Sequence, residues 1–232
     1  ELKEEELQRR RDQKEAAQVR LETATAEGDE ETAARLRART QRITPTMVET
    51  SRELLERLDF PVVTAPAEAE AQAAYMANQG AVDYAGSEDY DTLLFGAPVT
   101  LRQLTSSGSI ECMVLDETLE SLGVSLEELV YIAILCGTDY NDGVHGVGPK
   151  TALDKISGEM TVEDILAERD AEIPELDTIR EIYLHPSVTD QYSIEWEWNP
   201  DFEAAEQYLV ADWDLPREEL DTAFDRLVAA AD

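Results

Sequence analysis

The sequence is poor in several residue types, and each scarcity excludes something. Cysteine occurs twice in 232 residues, at Cys112 and Cys136, too few for a disulfide framework, so a reducing cytoplasm is expected. Histidine also occurs twice, and neither His145 nor His185 has neighbours spaced as metal ligands, which argues against zinc. No hydrophobic run approaches the roughly 20 residues that cross a bilayer, and no signal-peptide pattern follows Glu1, so no membrane association is expected. A Gly-x-x-x-x-Gly-Lys phosphate loop is missing, so nucleotide-driven chemistry is not expected. Lysine is scarce too: of 19 basic residues, only Lys3, Lys14, Lys150 and Lys155 are lysines.

Acid is what the chain has in abundance. Its 52 Asp and Glu residues give a formal charge of −33. The excess is uneven: residues up to Arg57 are nearly balanced, and almost all of it lies beyond. Such a surface repels nucleic acid, membranes and itself in dilute buffer. At 1 M salt the screening length falls to about 3 Å and the repulsion largely vanishes. Hydrophobic residues make up 43 % of the chain, enough for a core and too many for a disordered acidic tail. The composition therefore reads as that of a globular protein from a salt-adapted cytoplasm. The alternative is an acidic interaction protein from an ordinary cell.

Three segments are expected. Residues 1–43 read as two helices broken at Gly28, polar all round and projecting from the body. Residues 44–140 read as an α/β core. Thr44-Pro45 starts a helix that carries Met47, Leu54, Leu55 and Leu58 inward. Short strands are expected over 60–64, 81–86, 98–104 and 110–115, with an Ala-rich helix over 66–79. Strands alternating with helices imply a largely parallel central sheet flanked by helices. Ser125-Leu126-Glu127-Glu128 forms a capping box before a buried helix that ends at Gly137. Residues 141–232 open with a Gly-rich loop and continue as helices, including 161–168 and 176–184, with Trp196, Trp198 and Trp213 expected to pack.

Three acidic clusters lie just beyond regular elements: Glu68 and Glu70, then Asp89 and Asp91, then Asp139. Ligands of open α/β sheets bind beyond the carboxyl ends of the strands, where the first two clusters should converge. Each has a plainer explanation. Acids in a helix's first turn gain about 0.3–1 kcal/mol from the dipole, which covers Glu68 and Glu70, and Asp89 and Asp91 could be ordinary loop acids. Asp139 follows a helix C-terminus, where the dipole disfavours an anion by a similar amount. The joint placement is the signal. Five carboxylates in one pocket cannot all ionise unless cations neutralise them. Hard oxygen donors select Mg²⁺ or Mn²⁺, and two such ions support phosphoryl transfer.

At this point the sequence resembles the flap endonuclease family of structure-specific 5′ nucleases, in an archaeal, haloarchaeal form. The resemblance rests on Ala65-Pro66-Ala67-Glu68-Ala69-Glu70-Ala71, on Glu88-Asp89-Tyr90-Asp91 through Leu94-Phe95-Gly96, on Ile134-Leu135-Cys136-Gly137-Thr138-Asp139-Tyr140 and on Gly146-Val147-Gly148-Pro149-Lys150. It implies a PIN-like 5′ nuclease fold with a helical arch and a helix-two-turn-helix element. By resemblance, Glu68 and Glu70 bind the first catalytic metal, and Asp89, Asp91 and Asp139 the second. The implied substrate is branched DNA with a 5′ flap, cut by metal-assisted hydrolysis in replication and repair. Residues 2–10 are similar to the start of the arch, where Lys3 and Arg10, seven residues apart on one face, would steer the scissile phosphate. Without the motif they are simply cations of a charged helix. The loop bearing Gly146, Gly148 and Lys150 resembles the duplex-holding element, which in the family also binds K⁺ or Na⁺. A Gly-rich turn into a helix is the plainer alternative, and Thr151 stands where the family has a second cation.

Two family features are absent from these 232 residues: the portion before the arch, with two further metal-binding aspartates and the first strands, and the C-terminal motif for the sliding clamp. The expectation is that this chain alone is inactive or nearly so, while its parent is a monomeric enzyme. Relatives acting on bubbles or as 5′ exonucleases share the same metal site. From another class, a non-catalytic acidic module holding Ca²⁺ or basic proteins is the rival reading.

Overall fold

The structure is a computed structural model and describes residues 23, 25, 29, 43–105, 108–194 and 197–231. The expected arch over 1–43, with Lys3 and Arg10, therefore lies almost wholly outside the described residues, as does Trp196. In chain order the described elements begin with α1 (Pro45–Arg57), α2 (Ala69–Asn78), β1 (Ala85–Gly86), α3 (Asp91–Leu94), β2 (Val99–Arg102) and β3 (Glu111–Val114). Helices α4 (Leu115–Leu122), α5 (Leu126–Cys136), α6 (Pro149–Ile156), α7 (Val162–Arg169), α8 (Leu176–Leu184), α9 (Phe202–Ala211) and α10 (Arg217–Ala231) follow.

Side-chain caps fix several helix starts. Thr44 Oγ1 accepts the Met47 N–H at 3.2 Å, with Pro45 at the first helical position of α1. Both halves of the capping box are formed at Ser125, whose hydroxyl accepts the Glu128 N–H while the Glu128 carboxylate accepts the Ser125 N–H at 2.7 Å. Thr161 and Asp164 repeat the device at α7.

The chain divides into two compact units, Glu1–Thr40 with Ala65–Asp190, and Gln41–Thr64 with Gln191–Asp232. In the first, three strands lie in the order β1-β2-β3. The pair β1/β2 is parallel, with Ala85 opposite Thr100, and β2/β3 is antiparallel, with Val99 opposite Val114. The described sheet is thus mixed rather than largely parallel. Residues 103–110 join β2 to β3, and so short a link permits a hairpin but not the crossover of a dozen or more residues that a parallel return needs. The core of this unit gathers Ala71 and Ala74 of α2, Val130, Ile134 and Leu135 of α5, and Ile165, Ile179 and Tyr183 of the later helices. Helices α6 to α8 share this core, as expected of a region placed in the same domain as residues 44–140, and no domain boundary is drawn from it.

The second unit packs α1 with α9 and α10. Leu58, Ala205, Tyr208 and Leu220 are its buried residues. The rings of Phe60, Trp198, Phe202 and Phe224 form a continuous row, and Trp198 Nε1 donates to the Leu58 carbonyl at 2.7 Å. Residues 60–64, expected as a strand, are not one. Pro61 has no N–H for a ladder, and Phe60 is spent on the Trp198 ring instead. The expected strand over 81–86 shortens to Ala85–Gly86. Trp213 is 44 % exposed rather than packed, and of the residues expected inward here Met47, Leu54 and Leu55 are not buried, while Leu58, the C-cap of α1, is.

Candidate metal centre

The acids come from three pieces of backbone, each placed by a local cause. Glu68 is the N-cap of α2 and Glu70 lies in its first turn. That helix is anchored by Gln72, 3 % exposed, whose amide donates to the Thr189 carbonyl at 2.9 Å and accepts the Thr189 N–H at 2.8 Å. Asp91 opens α3, which is tied to β2 by the buried hydroxyl pair Thr92 and Thr100 at 3.1 Å. Asp89 sits on the loop before it. Arg102 holds that loop: its Nε donates to the Glu88 carbonyl at 3.0 Å, its terminal nitrogen meets Glu111 at 2.9 Å, and its guanidinium lies 3.8 Å from the centre of the Tyr90 ring.

Asp139 stands on a tight loop beyond α5. Thr138 and Asn141 pair across it, and Asn141 Nδ2 reaches back to the Ile134 carbonyl at 2.7 Å. Two glycines make the crossing possible. Gly143, at φ +72°, would carry a Cβ 2.5 Å from the Cys136 carbonyl carbon, and Gly137, at φ +106°, one 3.1 Å from Asp142. Only a residue without a side chain lets these strands of backbone touch.

Glu68, Glu70 and Asp91 are half-buried, whereas Asp89 and Asp139 are exposed. The groups nevertheless share one electrostatic neighbourhood. Burial, and then the charges of Asp139, Asp89, Glu70 and Glu68, push the Asp91 carboxyl from its usual 3.8 to about 6. The Tyr140 hydroxyl donates to Glu68 Oε1, joining the second residue of one cluster's loop to the first acid of another. Burial and that bond keep the phenol protonated far above its ordinary range. Beneath it, Tyr183 is 1 % exposed, and its hydroxyl lies near Thr138 without a well-formed hydrogen bond.

Among the described residues no three His, Cys, Asp or Glu side chains lie close enough to grip an ion as they stand. The charges of the other four acids act together on Asp91, although the side chains do not close on a common point. Oxygen donors without histidine or cysteine fit Mg²⁺ or Mn²⁺, and the raised Asp91 carboxyl marks a place where burial and negative charge coincide. Away from this region, Gly146 turns the next loop at φ +75° and Gly148 caps α6 with an ordinary backbone. Lys150 is exposed in the first turn of α6. Gln72, Arg102, Tyr140 and Tyr183 carry no role in the sequence reading. Gln72 stands one turn after Glu68, and Tyr140 adjoins Asp139.

A small mixed sheet among helices, with acids gathered beyond the ends of β1 and α5, defines a PIN-like 5′ nuclease core, and residues 59–139 match the XPG I-region family. The chain is 52 % identical over 228 residues to flap endonuclease 1 of Haloquadratum walsbyi, covering 98 % of this chain and 70 % of that protein. It superposes on the flap endonuclease-1 of Methanococcus jannaschii with a TM-score of 0.73 at 40 % identity, over 86 % of this chain and 62 % of that one. The Holliday junction-resolving enzyme GEN1, in complex with product DNA and a Mg²⁺ ion, is similar at 25 % identity with a TM-score of 0.58, over 75 % of this chain and 52 % of that one. The chain belongs to the flap endonuclease family, metal-dependent structure-specific 5′ nucleases of DNA replication and repair.

Proposed function

We propose that this chain supplies five carboxylates of a two-metal site that hydrolyses a phosphodiester of branched DNA near the base of a 5′ flap. Glu68 and Glu70 hold one Mg²⁺ or Mn²⁺, and Asp89, Asp91 and Asp139 hold the other. The bound ions supply an activated water and stabilise charge on the attacking and leaving oxygens. The observation that carries this reading is Asp91, half-buried and repelled by the other four acids at once. With an ion bound, Asp91 would serve as an ionised ligand, its charge offset by the cation.

Lys150 and the N-terminus of α6 take a duplex phosphate. This first turn has no capping side chain and no acid, and a lysine there is disfavoured by about 0.3–1 kcal/mol unless an anion faces it. The loop around Gly146 and Gly148 lets the DNA backbone approach and carries a K⁺ or Na⁺ site. Lys3 and Arg10 steer the scissile phosphate. The protein works as a monomer in the cytoplasm, with the sliding clamp as its protein partner.

The test is flap cleavage by the full-length polypeptide with Mg²⁺ titrated, in molar KCl. Glu70→Ala and Asp91→Ala each abolish cleavage and retain DNA binding. Cleavage at the wild-type rate by either variant refutes the assignment, and a wild-type protein that binds Ca²⁺ or basic proteins but never cuts identifies an acidic binding module instead.

A further inference from the structure

We propose that Tyr140 is a positioning residue: its phenol O–H, donated to Glu68 Oε1 and backed by the buried ring of Tyr183, sets the orientation of that carboxylate toward a divalent ion. The inference rests on the two-metal reading above but adds a residue to it. Three observations carry it. First, Glu68 occupies the N-cap position of α2 and yet makes no capping bond to its own helix. Here the carboxylate meets a hydroxyl 72 residues away in sequence.

Second, the Tyr140 ring is held rigidly. It meets Tyr183 edge-on, with centroids 5.8 Å apart and an interplanar angle of 82°. Tyr183 in turn packs against Phe95 at 5.1 Å. The row Phe95–Tyr183–Tyr140 thus runs from the residue that ends α3, the helix opened by Asp91, through α8, to the residue after Asp139. Its last member touches Glu68, so one aromatic row spans all three acidic clusters. Edge-to-face pairs of this kind fix ring orientation as well as filling space.

Third, in the bond between them the Tyr140 hydroxyl is the donor and Glu68 Oε1 the acceptor. A neutral donor to one carboxylate oxygen orients the group without removing its charge, which is how outer partners tune metal-binding carboxylates. A tyrosine kept only to fill space would need no hydroxyl, and phenylalanine would serve as well.

The experiment is a double-mutant cycle on the full-length protein in molar KCl, using Tyr140→Phe, Glu68→Gln and the pair. Phenylalanine keeps the contact with Tyr183 and removes only the hydroxyl, and near-ultraviolet circular dichroism verifies the packing. Mn²⁺ binding without DNA is read by electron paramagnetic resonance of the free ion, and kcat and KM are measured on a 5′-flap substrate. Tyr140→Phe is expected to weaken Mn²⁺ binding about 10-fold and to lower kcat, with KM for DNA unchanged. In the Glu68→Gln background the same substitution adds nothing. Wild-type Mn²⁺ affinity in Tyr140→Phe overturns the positioning role alone, and so does an equal loss in both backgrounds. A wild-type protein that binds no Mn²⁺ brings down the two-metal reading and this role with it.

Discussion

Replacing Asp91 with asparagine should make the metal-free protein more stable, although it removes a residue from the centre of the site. The folded carboxyl titrates near 6 against an ordinary 3.8. The folded state therefore holds this proton more tightly than the unfolded chain does, and stability falls as pH rises from about 3.8 to about 6. Above that window the ionised group costs at most about 3 kcal/mol. Asp91 is only half-buried, and solvent screening reduces the figure to about 1–2 kcal/mol. Molar KCl weakens the contributions of Asp139, Asp89, Glu70 and Glu68 but not the larger one from burial, so the effect survives the salt the protein needs. Asparagine is nearly isosteric with the protonated acid. In EDTA, urea unfolding should show Asp91→Asn ahead of wild type by about 1–2 kcal/mol at pH 7.5 and by less at pH 5. Adding Mg²⁺ should reverse the order, because the ion stabilises whichever protein binds it. An asparagine variant no more stable than wild type at pH 7.5 in EDTA refutes the electrostatic account of the site.

Other consequences follow from particular contacts. Gly143→Ala should destabilise the protein by more than about 2 kcal/mol in urea unfolding, because the new Cβ meets the Cys136 carbonyl in a backbone conformation that alanine resists. Arg102→Ala should free the loop that bears Asp89, seen as faster amide exchange at Ser87 and Asp89 and as Mn²⁺ binding weakened by about 10-fold; Arg102→Lys should not restore it, since lysine cannot both stack on Tyr90 and bridge two acceptors. With a formal charge of −33, the fold should loosen as KCl falls from molar to millimolar, and an unchanged circular dichroism spectrum across that range counts against salt adaptation.

What the sequence made legible was local. Thr44-Pro45 and Ser125 with Glu128 announce helix starts because capping needs only residues three apart, and both caps form. The strands were less legible. Phe60-Pro61-Val62-Val63-Thr64 has strand composition, but a strand requires a partner that composition does not name, and the segment is used for the Trp198 contact instead. The antiparallel pairing of β3 follows from the short link after Arg102, a link that strand composition alone does not weigh. The supports of the acids were hidden for a different reason. Gln72 to Thr189 and Tyr140 to Glu68 join residues 117 and 72 apart, and no periodicity records such pairs.

Acidity is therefore the wrong signature of a metal site in a chain where acid is the commonest surface residue. Burial and the direction of the shift discriminate better. Glu128 and Asp164 are pulled down by the capping bonds they accept, and Glu168 by Lys155 at 2.5 Å, so each is satisfied within the protein. Asp91 moves the other way, because burial and four acids act on it together. Glu168 is held ionised by a cation it already has, whereas Asp91 is driven toward neutrality by burial and by its acidic neighbours. Substituting Lys155 should raise the pKa of Glu168 locally and leave flap cleavage intact, while any change that admits water to Asp91 should lower the pKa of that carboxyl. The two responses separate the acids that decorate this protein from those that equip it.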